Sequence, residues 1–167
     1  MSTPVGRLRS PIPGADAWSA TDASELYEIA RWGKGYFSVS PQGHVLVHPE
    51  KDRQRAIDLK QLVDHLQLRG IALPILIRFS DILRHRLADI HDAFQTAIQQ
   101  HQYTGRYICV YPVKVNQQRQ VVEEVLEYGS AFGFGLEAGS KPELLAVAAV
   151  ASNDTPIICN GFKDAEF

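Results

Sequence analysis

The feature that most constrains the fold is a repeat in the last third of the chain. Three short apolar runs, Tyr107–Tyr111, Phe132–Leu136 and Pro156–Cys159, begin about 25 residues apart, with a helical pattern between each and the next. A unit of that length holds one strand, one helix and two short connections, the length of a crossover between parallel strands. The first intervening helix is predicted over 117–128, stopping at Gly129. The second is predicted over 141–151, where Ser140 and Glu143 have capping-box spacing and Pro142 lies in the first turn. Two α/β architectures fit these units, an open doubly wound sheet and a (β/α)8 barrel.

The upstream part has a different texture. Residues 1–20 are rich in Pro, Gly and Ser without a period and are expected to be a mobile leader. Residues 22–32 are predicted as a short helix. Two alternating runs, 36–40 and 44–48, flank Pro41-Gln42-Gly43 and predict a β-hairpin. A helix over 58–68 is expected to start at Asp58 and end at Gly70. Residues 73–79 read as a strand. Ser80 is the expected cap of a long helix over 81–101, on which Leu83, Leu87, Ile90, Phe94 and Ile98 recur at helical spacing. The organisation expected is a leader (1–20), a helix and hairpin segment (21–73) and a βα segment (74–167).

Composition narrows the function. Seventeen Lys and Arg stand against nineteen Asp and Glu, a net charge of −2, so no field of one sign points to nucleic acid or an anionic membrane. The longest apolar runs, such as Ile71–Ile77, fall far short of the ~20 residues that span a bilayer. The N-terminus has no apolar signal-peptide core, and a cytoplasmic location is expected. Cys109 and Cys159 fall within strand-like runs, where cysteine behaves as a small hydrophobe. Of the six histidines, His44 and His48 share a hairpin face without a third ligand, and His85, His91 and His101 do not converge, so no metal constellation is expected.

Chemistry is predicted at one place. Lys114 lies just past the strand Tyr107–Tyr111, and active sites of parallel α/β folds lie at the C-terminal ends of strands. Its apolar surroundings predict a desolvated amine available to attack a carbonyl, against the alternative of a solvated lysine at a strand end. Glu137 ends the next strand and faces the same end of the sheet. It can orient or pair with Lys114, or be a solvated loop carboxylate. Gly133 and Gly135 lack the third glycine of a dinucleotide fingerprint and are read as packing positions. The run Gln117–Gln120 is read as an exposed helix face.

The segments YPVKVNQQRQVVEEVLEYG, GLEAGSKPELLAV and IICNGFKDAEF, preceded by GYFSVSPQGHVLVHP and LPILIRFSDILRHRL, resemble successive motifs of the biosynthetic arginine decarboxylases. The resemblance runs from about residue 27 to 167. Its short core, aromatic-x-x-Lys-x-Asn, is shared with ornithine and diaminopimelate decarboxylases and with alanine racemase. The resemblance implies the N-terminal part of a (β/α)8 TIM-type barrel, about three parallel βα strands, preceded by a hairpin of an incomplete β domain. It implies pyridoxal 5′-phosphate held by Lys114 as a Schiff base, Glu137 near the cofactor, and magnesium with no ligand placed. The implied reaction converts L-arginine to agmatine and CO2, toward polyamines such as spermidine, in a homo-oligomeric enzyme.

The same resemblance implies that five barrel strands, the phosphate-binding loops and the substrate-reading region lie outside these residues. The 167-residue chain is therefore expected to be a fragment that does not decarboxylate arginine by itself. Two alternatives stay open: a non-catalytic cofactor-binding or subunit-interaction piece, and a decarboxylase of another basic amino acid.

Overall fold

The computed structural model describes residues 18–167, so the leader expected over 1–20 lies almost wholly outside the described residues. The chain divides into two compact units, one ending at Ile75 and the other beginning at Leu76.

The first unit opens with α1 (Ala20–Leu26), whose Ser19 cap and Asp22 bond reciprocally. The helix predicted over 22–32 is broken. Glu28 takes a left-handed φ of 49°, and α2 (Ile29–Gly33) starts anew, with the Trp32 indole N–H donating to the Tyr27 carbonyl at 2.9 Å. The hairpin forms as the alternation predicts, β1 (Phe37–Val39) antiparallel to β2 (Val45–Val47). A strand not foreseen, β3 (Ile57–Asp58), adds to β2. Two residues are too short to show a period of two, which is why the pattern hid it. Asp58 then caps α3 (Leu59–Leu68) by accepting from the Gln61 N–H at 3.0 Å.

The strand expected over 73–79 is absent; the segment is irregular. Pro74 offers no N–H, no neighbouring strand pairs with the segment, and Leu73 and Leu76 are exposed. An apolar run makes a strand only where a partner accepts its ladder.

The second unit begins with α4 (Ser80–Gln100). Ser80 does not cap it. Phe79 holds the cap position without a side-chain bond, and the Ser80 hydroxyl donates to Glu124 at 2.8 Å. Three parallel strands follow, β4 (Val110–Pro112), β5 (Gly135–Ala138) and β6 (Ile157–Cys159), in that spatial order, with α5 (Arg119–Gly129) and α6 (Lys141–Val150) between them. β4 and β5 start later than their apolar runs. Phe132 closes a 3-10 turn, Gly133 sits at φ 70°, and the ladder on β5 begins only at Gly135. With no partner before that point, Tyr107 stacks its ring on Phe94 at 3.8 Å instead.

Gly135 meets its expected packing role. A Cβ there would lie 2.0 Å from the Pro156 carbonyl oxygen, so β5 and β6 approach only because the position is bare. Gly133 does not, because open space surrounds it and its conformation alone demands glycine. The core beneath the strand ends is Val113, Val122, Leu136, Ala138 and Val147, with Tyr111, Leu126 and Leu144 packed against it. Leu136 and Val125 are fully buried.

Candidate active site

Three parallel strands bring their C-terminal ends to one edge, and the chemistry lies there. Past β4, Val113–Val115 turns as a short 3-10 helix. Val113 is buried in the core, while Lys114 points away from it with 56% of its side chain exposed. Of the two readings the sequence leaves open, the structure shows the solvated lysine at a strand end and not the desolvated ammonium. Apolar residues surround the turn in sequence, but Val113 alone takes the inward position.

Register explains why Glu137 meets Lys114. Pro112 pairs with Glu137 across the β4–β5 ladder, so the turn that follows Pro112 passes over the end of β5. The Lys114 ammonium lies 3.6 Å from Glu137 Oε1. That carboxylate is 13% exposed, and Oε1 is buried without a hydrogen bond. A buried carboxylate oxygen facing a cation at ion-pair range, yet making no hydrogen bond, has capacity to take a proton or accept a donor. The two predicted site residues are therefore together.

The sequence reading missed what surrounds them. A Cβ on Gly139 would lie 3.9 Å from Glu137 Oε1, 3.3 Å from Glu143 Oε2 and 4.0 Å from the Asn160 carbonyl oxygen. The bare position leaves room between two carboxylates and the end of β6. Glu143 accepts from the Gly139 N–H at 2.7 Å, so the reciprocal half of the predicted capping box goes one residue upstream of Ser140. Ser140 keeps its own half, accepting from the Glu143 N–H at 3.4 Å. Asn160 donates its N–H to Ala138 at 2.9 Å. The available signal was positional: Lys114, Gly139 and Asn160 each follow a strand end in successive units.

Beyond β6, Lys141 of α6 binds Asp164 at 2.8 Å and Glu166 at 2.7 Å. The Asp164 carboxylate bond raises the Lys141 ammonium above its ordinary pKa, and Lys141 in turn lowers Asp164. A cleft of about 470 Å³ opens between the start of α5 and α6, lined by Val113, Val122, Pro142 and Val147; neither Lys114 nor Glu137 lines it. Its lining includes Ser140 and Glu143, which flank Gly139, so the cleft adjoins the strand ends that carry Lys114 and Glu137.

The histidines are accounted for otherwise. His44 Nδ1 pairs with Asp58 at 2.7 Å, and His48 Nε2 with the Ser38 hydroxyl at 2.7 Å. Among the described residues no group of three or more His, Cys, Asp or Glu is placed to hold a metal. No helix among them is long and apolar enough to cross a membrane.

Parallel strands carrying a lysine and a carboxylate at their C-terminal ends define a site suited to carbonyl chemistry on a parallel α/β scaffold. Residues 87–167 match the pyridoxal-dependent decarboxylase, pyridoxal binding domain, model. The chain is also similar to proteins named biosynthetic arginine decarboxylase. The Rhodopirellula baltica protein is 55% identical over 90% of this chain, and that of Gloeobacter violaceus 52% identical over 90%. The solved biosynthetic arginine decarboxylase of Campylobacter jejuni superposes on 84% of the chain with a TM-score of 0.74 at 35% identity. The chain spans only 22% and 23% of the two relatives' lengths and 23% of the solved chain. The parallel sheet thus corresponds to the N-terminal part of that barrel fold, and the antiparallel sheet precedes it.

Proposed function

We propose that this chain supplies the lysine-bearing part of a pyridoxal 5′-phosphate-dependent decarboxylase that converts L-arginine to agmatine and CO2. The observation that carries the reading is Lys114 at the end of β4, 3.6 Å from a buried and otherwise unpartnered Glu137 oxygen. It occurs in a chain whose matched family is pyridoxal-dependent. The residues fit the cofactor: an exposed primary amine can condense with an aldehyde and release water, and the bare Gly139 leaves space beside Glu137. When bound, the cofactor supplies an electron sink for the pair left by CO2.

The chain's own residues do the rest of what is argued. Lys114 would hold the cofactor through its exposed primary amine. Glu137 faces the Lys114 ammonium at 3.6 Å and holds it in place. Arginine as substrate is supported by the similarity to proteins named arginine decarboxylase; a homo-oligomeric assembly and a cytoplasmic location are proposed with it. Magnesium rests on family resemblance alone.

The test adds pyridoxal phosphate to the chain, with Lys114→Ala as control. An imine band at the edge of the visible range, lost in the variant, is expected. Mixing the chain with the remaining segment of a homologous arginine decarboxylase then allows release of labelled CO2 from L-arginine to be measured. Release that depends on Lys114 is expected from the mixture and not from the chain alone. Release from lysine or ornithine in preference to arginine contradicts the substrate, and no imine at Lys114 contradicts the whole reading.

A further inference from the structure

We infer that Tyr111 and Asn116 form a clasp that positions Lys114, a role that rests on the reading of Lys114 as the cofactor lysine. Four residues, 112–115, separate the two ends, and Lys114 lies among them. The Tyr111 hydroxyl donates to the Asn116 carbonyl at 3.3 Å, closing the Val113–Val115 turn from beneath. The Asn116 side-chain oxygen accepts from the Gln118 N–H at 3.1 Å and so joins the turn to the start of α5, a helix whose Gln118 cap makes no side-chain bond of its own. Arg78 donates to the Gln118 side chain at 2.5 Å and steadies the same corner.

Tyr111 suits the task because its two parts do different work. The ring packs on the core of Val113, Leu136 and Val147, so its position is fixed. Burial raises the phenol pKa, with Arg78 opposing, and the hydroxyl remains a donor at neutral pH. Val113 anchors the inner side of the turn. Without the clasp, Lys114 would be held on one side by the buried Val113 and the β4 ladder at Pro112 and by nothing on the other, and its alignment with Glu137 would loosen. Neither residue touches the reacting atoms in this account; both are positioning residues. The clasp also gives a physical reason for an aromatic residue three before the lysine and an asparagine two after it.

Tyr111→Phe tests this, because it removes one oxygen and leaves the ring in the core. The first readout needs no cofactor: amide hydrogen exchange in the full chain. Exchange of the Lys114–Gln118 amides is expected to rise about three- to tenfold, the range set by one net hydrogen bond. Exchange in β5 and the melting temperature should be nearly unchanged. Asn116→Ala should loosen the same segment, and the double variant should fall short of the product of the two effects. The second readout is borohydride trapping of pyridoxal phosphate with peptide mapping; the share at Lys114, relative to other lysines, is expected to fall in both variants. Unchanged exchange in 114–118, or a rise spread evenly over the unit, overturns the clasp. If the unsubstituted chain shows no preference for Lys114, the cofactor-lysine reading fails, and exchange still decides whether the clasp exists.

Discussion

The two three-stranded sheets are built on opposite principles. In the antiparallel sheet, β1, β2 and β3 are close in sequence, and polar side chains pair locally: Ser38 with His48, His44 with Asp58. In the parallel sheet each neighbour is reached through a helix, and the strand ends meet at one edge. Among the described residues, each unit holds one buried side-chain atom without a hydrogen bond. In the first it is His48 Nδ1, on a ring whose other nitrogen is satisfied and which is 3% exposed. In the second it is Glu137 Oε1, on a carboxylate beside an exposed lysine. The contrast teaches that an unpartnered atom gains functional meaning from where the topology puts it. A nitrogen enclosed in a packed sheet has no access to a ligand, whereas an oxygen at the mouth of parallel strands has.

The comparison can be broken or sharpened by substitution. The largest effect is expected where the parallel sheet is buried on both faces. Leu136→Ala should cost about 2–5 kcal/mol in urea unfolding followed by probes in that unit, as for other fully buried leucines. Val47→Ala, equally enclosed in the antiparallel sheet, removes two carbons and should cost roughly 1–3 kcal/mol. Equal costs would mean that the parallel core is no more tightly filled. Next, Ser140→Ala removes the cap of α6 and should cost about 1 kcal/mol, with Ser140→Asp largely restoring it. Failure of the aspartate to restore stability would remove capping as the reason for the serine.

The smallest effect concerns pH. The His44 hydrogen bond, with help from the Gln61 N–H, lowers Asp58 below its ordinary value of 3.8. A carboxylate with a depressed folded-state pKa stabilises the fold fully above the unfolded value. That contribution is lost as pH falls through the lower folded value. Asp58→Asn keeps an acceptor for the Gln61 N–H while removing the charge. It should therefore flatten the acid limb below pH 3.8 and leave α3 in place by circular dichroism. An unchanged acid limb would show that the His44 pair contributes nothing to it.

The sequence made the repeating units legible because helical and strand periods alternate there at even spacing. It also located Lys114 and Glu137, since a strand end is visible as the last residue of an apolar run. Other elements were hidden for physical reasons. The late starts of β4 and β5 depend on where a partner offers a ladder, which no local pattern records. Residues 73–79 have strand composition but nothing to pair with. The exposure of Lys114 depends on which residue of the turn faces inward, and Val113 takes that place. Gly139 carries no side chain to attract notice, and its importance appears only when the space around it is measured.

The central claim, that Lys114 is the amine that carries the cofactor, is tested most directly by reductive trapping. The chain is treated with pyridoxal phosphate and borohydride, digested, and mapped by mass spectrometry. The account predicts the phosphopyridoxyl mass on the peptide containing Lys114, reduced when Glu137 is changed to Gln and absent in Lys114→Ala. Label spread evenly over the exposed lysines, with Lys114 no more modified than Lys60 or Lys34, would contradict it.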